Sequence, residues 1–231
     1  MPVQLIQIKN GLACSPKLVS MAADDKSANT VAGARKVAVA TIMQEHRTLA
    51  TVLSALRQRL AKVADQHAEA DFGFLAAALY YINDFPERYH HPKEDKHLFP
   101  ALRRRTDRFD AVLDDLQAEH VRSERMIASM EHALVHSQGG APDGLESFKS
   151  TVDAYANMLW GHIRKEEELL ALAPDYLEDE DWQKIADAFD ANDDPLYGAR
   201  RDEEFGKLYS RIVNSLPSKM RPARSSRGAW D

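Results

Sequence analysis

Cysteine is almost missing from this 231-residue chain, where Cys14 is the only one. A disulfide framework, a thiolate zinc site and an iron–sulfur cluster are thereby excluded, and a reducing, cytoplasmic setting is expected. Glycine and proline are sparse, 10 of each, which argues against an all-β chain of this size. Long apolar runs are lacking too: the longest, residues 74–82, falls far short of the roughly 20 residues that cross a bilayer. Positive charge is not in excess. Lys and Arg number 30 against 36 Asp and Glu, a net charge of −6, so neither a membrane nor a nucleic-acid partner is expected. With 44% hydrophobic residues the chain can bury a sizeable core, which excludes disorder throughout.

What is present is helical periodicity. Ile42, His46, Leu49, Leu53, Leu56, Leu60 and Val63 advance by alternating steps of four and three, which places them on one face of a helix. The same step pattern recurs in Phe109, Leu113, Leu116, His120, Ser123, Ile127, Met130 and Leu134. It recurs again in Phe148, Val152, Tyr155, Leu159, His162, Glu166 and Leu169, behind Pro142 as a helix start. A fourth, less regular stripe runs Leu75, Leu79, Ile82, His90, Glu94 and Leu98. It is interrupted by Pro86 and Pro92, which predicts a kink or a one-turn break beside His90. Connections are expected at residues 66–70, 100–108 and 137–143.

These stripes predict an all-α, antiparallel up-down-up-down four-helix bundle over residues 31–173. A flexible leader over 1–30 precedes it, because Gln4, Gln7 and Gly11 spoil any lipoprotein signal before Cys14. A helical extension over 174–216 follows, with Trp182, Ile185 and Phe189 on one helix and Phe205, Leu208, Ile212 and Val213 on another. The apolar faces of the extension must cover the bundle or join two copies into a homodimer. The basic segment 217–231 is expected to be a disordered tail.

Every inward stripe carries a histidine, and two carry a glutamate one turn later: His90 with Glu94, and His162 with Glu166. Burying two carboxylates among four imidazoles without compensation would cost on the order of several kcal/mol per ionised group. A bound cation removes that cost. A pair of cations removes it better, because each carboxylate can bridge two metals while His46, His90, His120 and His162 divide between them. Mixed imidazole and carboxylate donors without thiolates suit iron or manganese. Four nitrogens and two bridging carboxylates make about eight bonds, whereas two octahedral metals take about twelve, which leaves room for a small ligand.

The segments Gln44-Glu45-His46, Tyr89-His90-His91-Pro92-Lys93-Glu94-Asp95 with Leu98-Phe99-Pro100, Glu119-His120, and His162-Ile163-Arg164-Lys165-Glu166-Glu167 resemble the hemerythrin-like, HHE cation-binding family. The resemblance covers roughly residues 34–173, and Asp194-Pro195-Leu196 is similar to an extension of bacterial members. It implies a carboxylate-bridged non-haem centre of two iron ions held by His46, His90, Glu94, His120, His162 and Glu166. Oxygen-carrying members place a fifth histidine where Glu124 stands, and an aspartate five residues beyond the last histidine where Glu166 stands at four. This chain is closer to members that sense iron, oxygen or nitric oxide, or that handle peroxide. Glu124 is open to three roles: ligand, support of a ligand, or solvated residue. Three function classes follow: a protein that binds or senses a small diatomic ligand, peroxide or iron; a catalase- or peroxidase-like enzyme; and a structural metal protein whose C-terminal helices recruit a partner. Glu45, Glu119 and Glu167 are candidates to hold the outer nitrogens of ligand imidazoles. His91 is expected at the surface or behind the ligands, His97 at the inner face only if the helix returns it there, and His67, His132 and His136 in solvent.

Overall fold

The computed structural model describes residues 16–66, 69–190, 212 and 214, and among these there is no strand. Helix α1 (Pro16–Gln66) is followed by α2 (Phe72–Phe85), which passes without a loop through a π-helical turn (Pro86–His90), a short α3 (His91–Lys93) and a second π-helical turn (Glu94–Leu98) into α4 (Phe99–Arg105). Helices α5 (Asp110–Gln138) and α6 (Gly144–Leu172) complete the bundle, and a 3-10 turn (Ala173–Asp175) leads to α7 (Asp179–Asp190). Contacts run α1 to α2, α2 to α5, α5 to α6 and α6 back to α1, the ring of an up-down-up-down bundle.

Local signals explain most boundaries. The Asp71 carboxylate accepts the Phe74 N–H at 2.9 Å and so caps α2. Gly140 adopts φ +79°, a left-handed conformation that suits glycine, and it turns the chain between α5 and α6. Gly144 is required for a different reason. A Cβ there would lie 2.5 Å from Ser137 Cα, so the start of α6 can press against the end of α5 only without a side chain. Three expectations shift. Helix α1 begins at Pro16, so residues 16–30 are helical where a flexible leader was expected. Residues 100–105 continue the helix rather than opening a loop. Pro142 sits in the turn just ahead of α6, which starts at Gly144. The expected sixth helix lies outside the described residues except at Ile212 and Asn214, both helical, the first buried and the second exposed. The tail at 217–231 and His67 also lie outside them.

The core falls into two apolar clusters. One gathers Leu49, Leu53, Leu56, Phe74, Phe85, Ile127, Tyr155 and Leu159, and the other Ile42, Leu98, Phe99, Leu116, Leu169 and Leu170. Helix α7 joins the second cluster and lays Trp182, Ile185, Ala186 and Phe189 against the bundle, chiefly on α1. Side chains of this kind contribute roughly 1.5–3 kcal/mol each on burial, so α7 covers the bundle of its own chain. No helix among the described residues is long and apolar enough to cross a membrane.

Asp181 pins α7 in place: its carboxylate accepts from Arg105 Nε at 2.8 Å, from Arg104 at 3.4 Å and from the Glu178 backbone N–H at 3.2 Å. Burial pushes this carboxyl up, but the bonds from Arg105, the Glu178 N–H and Arg104 outweigh it and hold the pKa below the usual aspartate value. Its stabilising contribution is therefore fully present above the unfolded value near 3.9 and is lost as pH falls through the lower, folded one. Asp181→Asn should cost about 1–3 kcal/mol at pH 7, and the deficit should vanish in acid, as read by urea denaturation at several pH values. Gly144→Ala should cost about 1–3 kcal/mol through overpacking, visible as a lower melting temperature with unchanged helical content.

Candidate metal centre

Between the two apolar clusters lies a single polar layer. His46 stands between Ile42 and Leu49 of α1, and His120 between Leu116 and Ile127 of α5. His162 and Glu166 stand between Leu159 and Leu169 of α6, each held inward by the heptad phase of its helix. His90 and Glu94 depend on the widened turns. Pro86 and Pro92 lack the N–H groups that would continue the α-helical ladder, and the backbone instead closes i→i+5 bonds from the His91 N–H to Pro86 O and from the Phe99 N–H to Glu94 O. All six expected residues come together here, no more than 5% exposed, with Glu94 and Glu166 at 0%.

The distances divide the site into two halves that share both carboxylates. In one half His46 Nε2 and His90 Nε2 face each other at 3.0 Å. Glu94 Oε1 lies 3.3 Å from His90 Nε2, and Glu166 Oε2 lies 3.2 Å from His46 Nε2. In the other half the opposite oxygens of the same carboxylates turn to His120 and His162. Glu94 Oε2 is 3.6 Å from His120 Nε2, and Glu166 Oε1 is 3.0 Å from His162 Nε2. Four ligand atoms in each half, from His46, His90, Glu94 and Glu166 and from Glu94, His120, His162 and Glu166, lie within 4.8 Å of one another.

Hydrogen bonding leaves the inner atoms of this cluster exposed to one another. Both oxygens of Glu94, both of Glu166, and Nε2 of His120 and His162 are buried without a hydrogen-bond partner. Buried polar atoms are rarely left so, and here they aim at common points between imidazole and carboxylate, which is the arrangement a cation satisfies. The charge balance agrees. Burial, reinforced by the charge of Glu166, pushes the Glu94 carboxyl well above the usual range. Burial also raises Glu166, but His162, His120 and His46 outweigh it and hold that carboxyl well below. Burial and the neighbouring His46 keep His90 neutral. His120 rises to about 9 because its bond to Asp95 and the nearby Glu166 carboxylate overcome its burial.

Carboxylates also sit behind the histidines. The Nδ1 atom of His90 lies 2.7 Å from Glu45 Oε2, that of His162 3.1 Å from Glu119 Oε2, and that of His120 3.1 Å from Asp95 Oδ2. Each fixes the ring so that Nε2 faces inward. Glu45 and Glu119 were among the expected supports, and Lys93 and Lys165 in turn hold their other oxygens at 3.4 and 2.7 Å. Glu167 makes no such contact among the described residues. Asp95 was missed, although it immediately follows Glu94. Glu124 is exposed on α5 and takes no part, and His97, His132 and His136 are exposed as well. Of the two places expected for His91, the surface is excluded: it is 4% exposed, and burial pushes its pKa down to about 3. A regular helix would turn it about 100° away from His90, whereas the widened turn brings both inward.

Metal uptake should stabilise the folded chain, because a half-site of four inward ligands does not survive unfolding. At a free iron(II) concentration a hundred times the dissociation constant the gain is about 2.7 kcal/mol. Differential scanning calorimetry with and without iron(II), manganese(II) or zinc(II) should show a rise in melting temperature. An unchanged melting temperature with all three would remove the metal centre.

Comparison with curated proteins gives no match. The Hemerythrin HHE cation binding domain family matches residues 37–173, a span that covers more than half the chain and contains every residue of the converging cluster. Its extent and the buried donors within it lead to one conclusion: this chain belongs to the hemerythrin HHE cation-binding family.

Proposed function

We propose that the protein holds a carboxylate-bridged pair of iron ions and uses it to bind or sense a small molecule, dioxygen, nitric oxide or peroxide. The observation that supports this most directly is the division of oxygens: each of Glu94 and Glu166 turns one oxygen to each imidazole group, as a carboxylate that bridges two ions must. His46 and His90 would hold one ion, His120 and His162 the other. Nitrogen and oxygen donors without thiolate favour iron or manganese over structural zinc. When bound, the iron pair supplies a redox-active centre with free positions for a small ligand. The chain supplies the rest. Glu45, Asp95 and Glu119 keep three imidazoles in the tautomer that offers Nε2 inward, and the apolar layers above and below exclude water and larger molecules.

Protein from iron-replete cells should carry two irons per chain and show near-ultraviolet charge-transfer absorption that changes on exposure to nitric oxide or hydrogen peroxide. Glu166→Ala should lose both irons and that response, since it removes one of the two carboxylates that both halves share. A protein that takes up only zinc under these conditions would overturn the reading. Sustained rather than stoichiometric loss of peroxide in the same assay would move it from sensing to turnover.

A further inference from the structure

A fifth imidazole reaches the polar layer. His91 stacks on His120 with ring centroids 4.0 Å apart and an interplanar angle of 12°, and it meets His162 edge-on at 5.6 Å. His91, His120 and His162 can each offer one ring nitrogen, and those three nitrogens lie within 4.8 Å of one another. His91 is buried, and its Nδ1, the nitrogen that points away from those two rings' shared centre in this assignment, makes no close hydrogen bond. What it faces instead is Glu87 Oε2 at 3.5 Å, a looser version of the carboxylate placed behind His90, His120 and His162. Glu87 is itself fixed, since its Oε1 accepts from Ser123 Oγ at 2.6 Å, and Ser123 contacts the buried Tyr155 hydroxyl at 3.4 Å. Helix α5 and helix α6 therefore both help to aim the His91 ring.

We infer that His91 is a ligand of the His120–His162 half, so that the two halves are unequal: two imidazoles, His46 and His90, against three, His91, His120 and His162. The assignment rests on the paired-metal reading above. Nδ1 turned to Glu87 leaves Nε2 as the donor, the same choice the other inward histidines make.

The test uses the full-length chain. His91→Phe keeps a flat ring on His120 and removes both nitrogens, with His120→Ala as a control that removes an accepted member of the cluster. Both variants and the unmodified chain are loaded with iron(II), challenged with a chelator, and followed for iron per chain. One of the two irons should leave His91→Phe at least tenfold faster than it leaves the unmodified chain, with the other retained. Loss at the unmodified rate, beside accelerated loss from His120→Ala, would reduce His91 to a stacking partner and leave the paired-metal reading intact. An unmodified chain that takes up no second metal would defeat that reading and this assignment together. A measurement that needs no variant is proton NMR of the cobalt(II)-loaded chain, in which each ligand imidazole gives one exchangeable, strongly shifted N–H resonance. Five such resonances support the assignment, and four overturn it.

Discussion

Two carboxylates with no exposed surface and no hydrogen-bond donor on any of their four oxygens dominate the interior of this protein. In a low-dielectric core such groups carry a penalty that ordinary packing does not repay. The rest of the bundle is organised around that penalty in concentric layers of alternating character. Imidazoles surround Glu94 and Glu166, the carboxylates of Glu45, Asp95 and Glu119 stand behind the imidazoles, and Lys93 and Lys165 close two of those outward paths at the rim. Apolar side chains above and below keep water from satisfying the central oxygens. The helices could pack as well with leucine at these positions, so the layer exists for what it holds rather than for the fold.

Most of this architecture was legible in the sequence because a heptad stripe is a statement about one helix face, and a polar residue inside the stripe inherits the direction of its apolar neighbours. His46, His120, His162 and Glu166 were placed in this way, and so was the bundle. The region from Pro86 to Leu98 resisted, because the i→i+5 turns break the periodicity on which the reading depends. His91 was placed at the surface or behind the ligands by counting along a regular helix, and Asp95 was missed for the same reason. The start of α1 was misjudged differently: the polar run from Ala22 to Asn29 lacks an apolar stripe, and periodicity cannot see a helix that has none.

The extension is tied to the polar layer as well as to the apolar cluster. Phe189 of α7 approaches His90 edge-on at 6.3 Å, and Lys93, which holds Glu45, lies over the same ring at 5.3 Å. The buried carboxylate of Asp181 fastens the other end of α7 to Arg105, at the end of the helical run that carries His90 and Glu94. The two ends of this short helix thus brace the segment whose backbone is least regular.

The two widened turns carry a consequence for how this segment tolerates change in length. Each accommodates one residue more than a regular turn, so deleting a residue within 86–90 or 94–98 would tighten the turn while the flanking faces kept their orientation. The same deletion between Leu116 and Ile127 would swing everything beyond it by about 100° and turn half of α5 inside out. Among the helical segments, chain-length variation should therefore be absorbed on the proline-bearing strut rather than within α5, and what the surplus residue provides is a pair of adjacent histidines on one side of a helix.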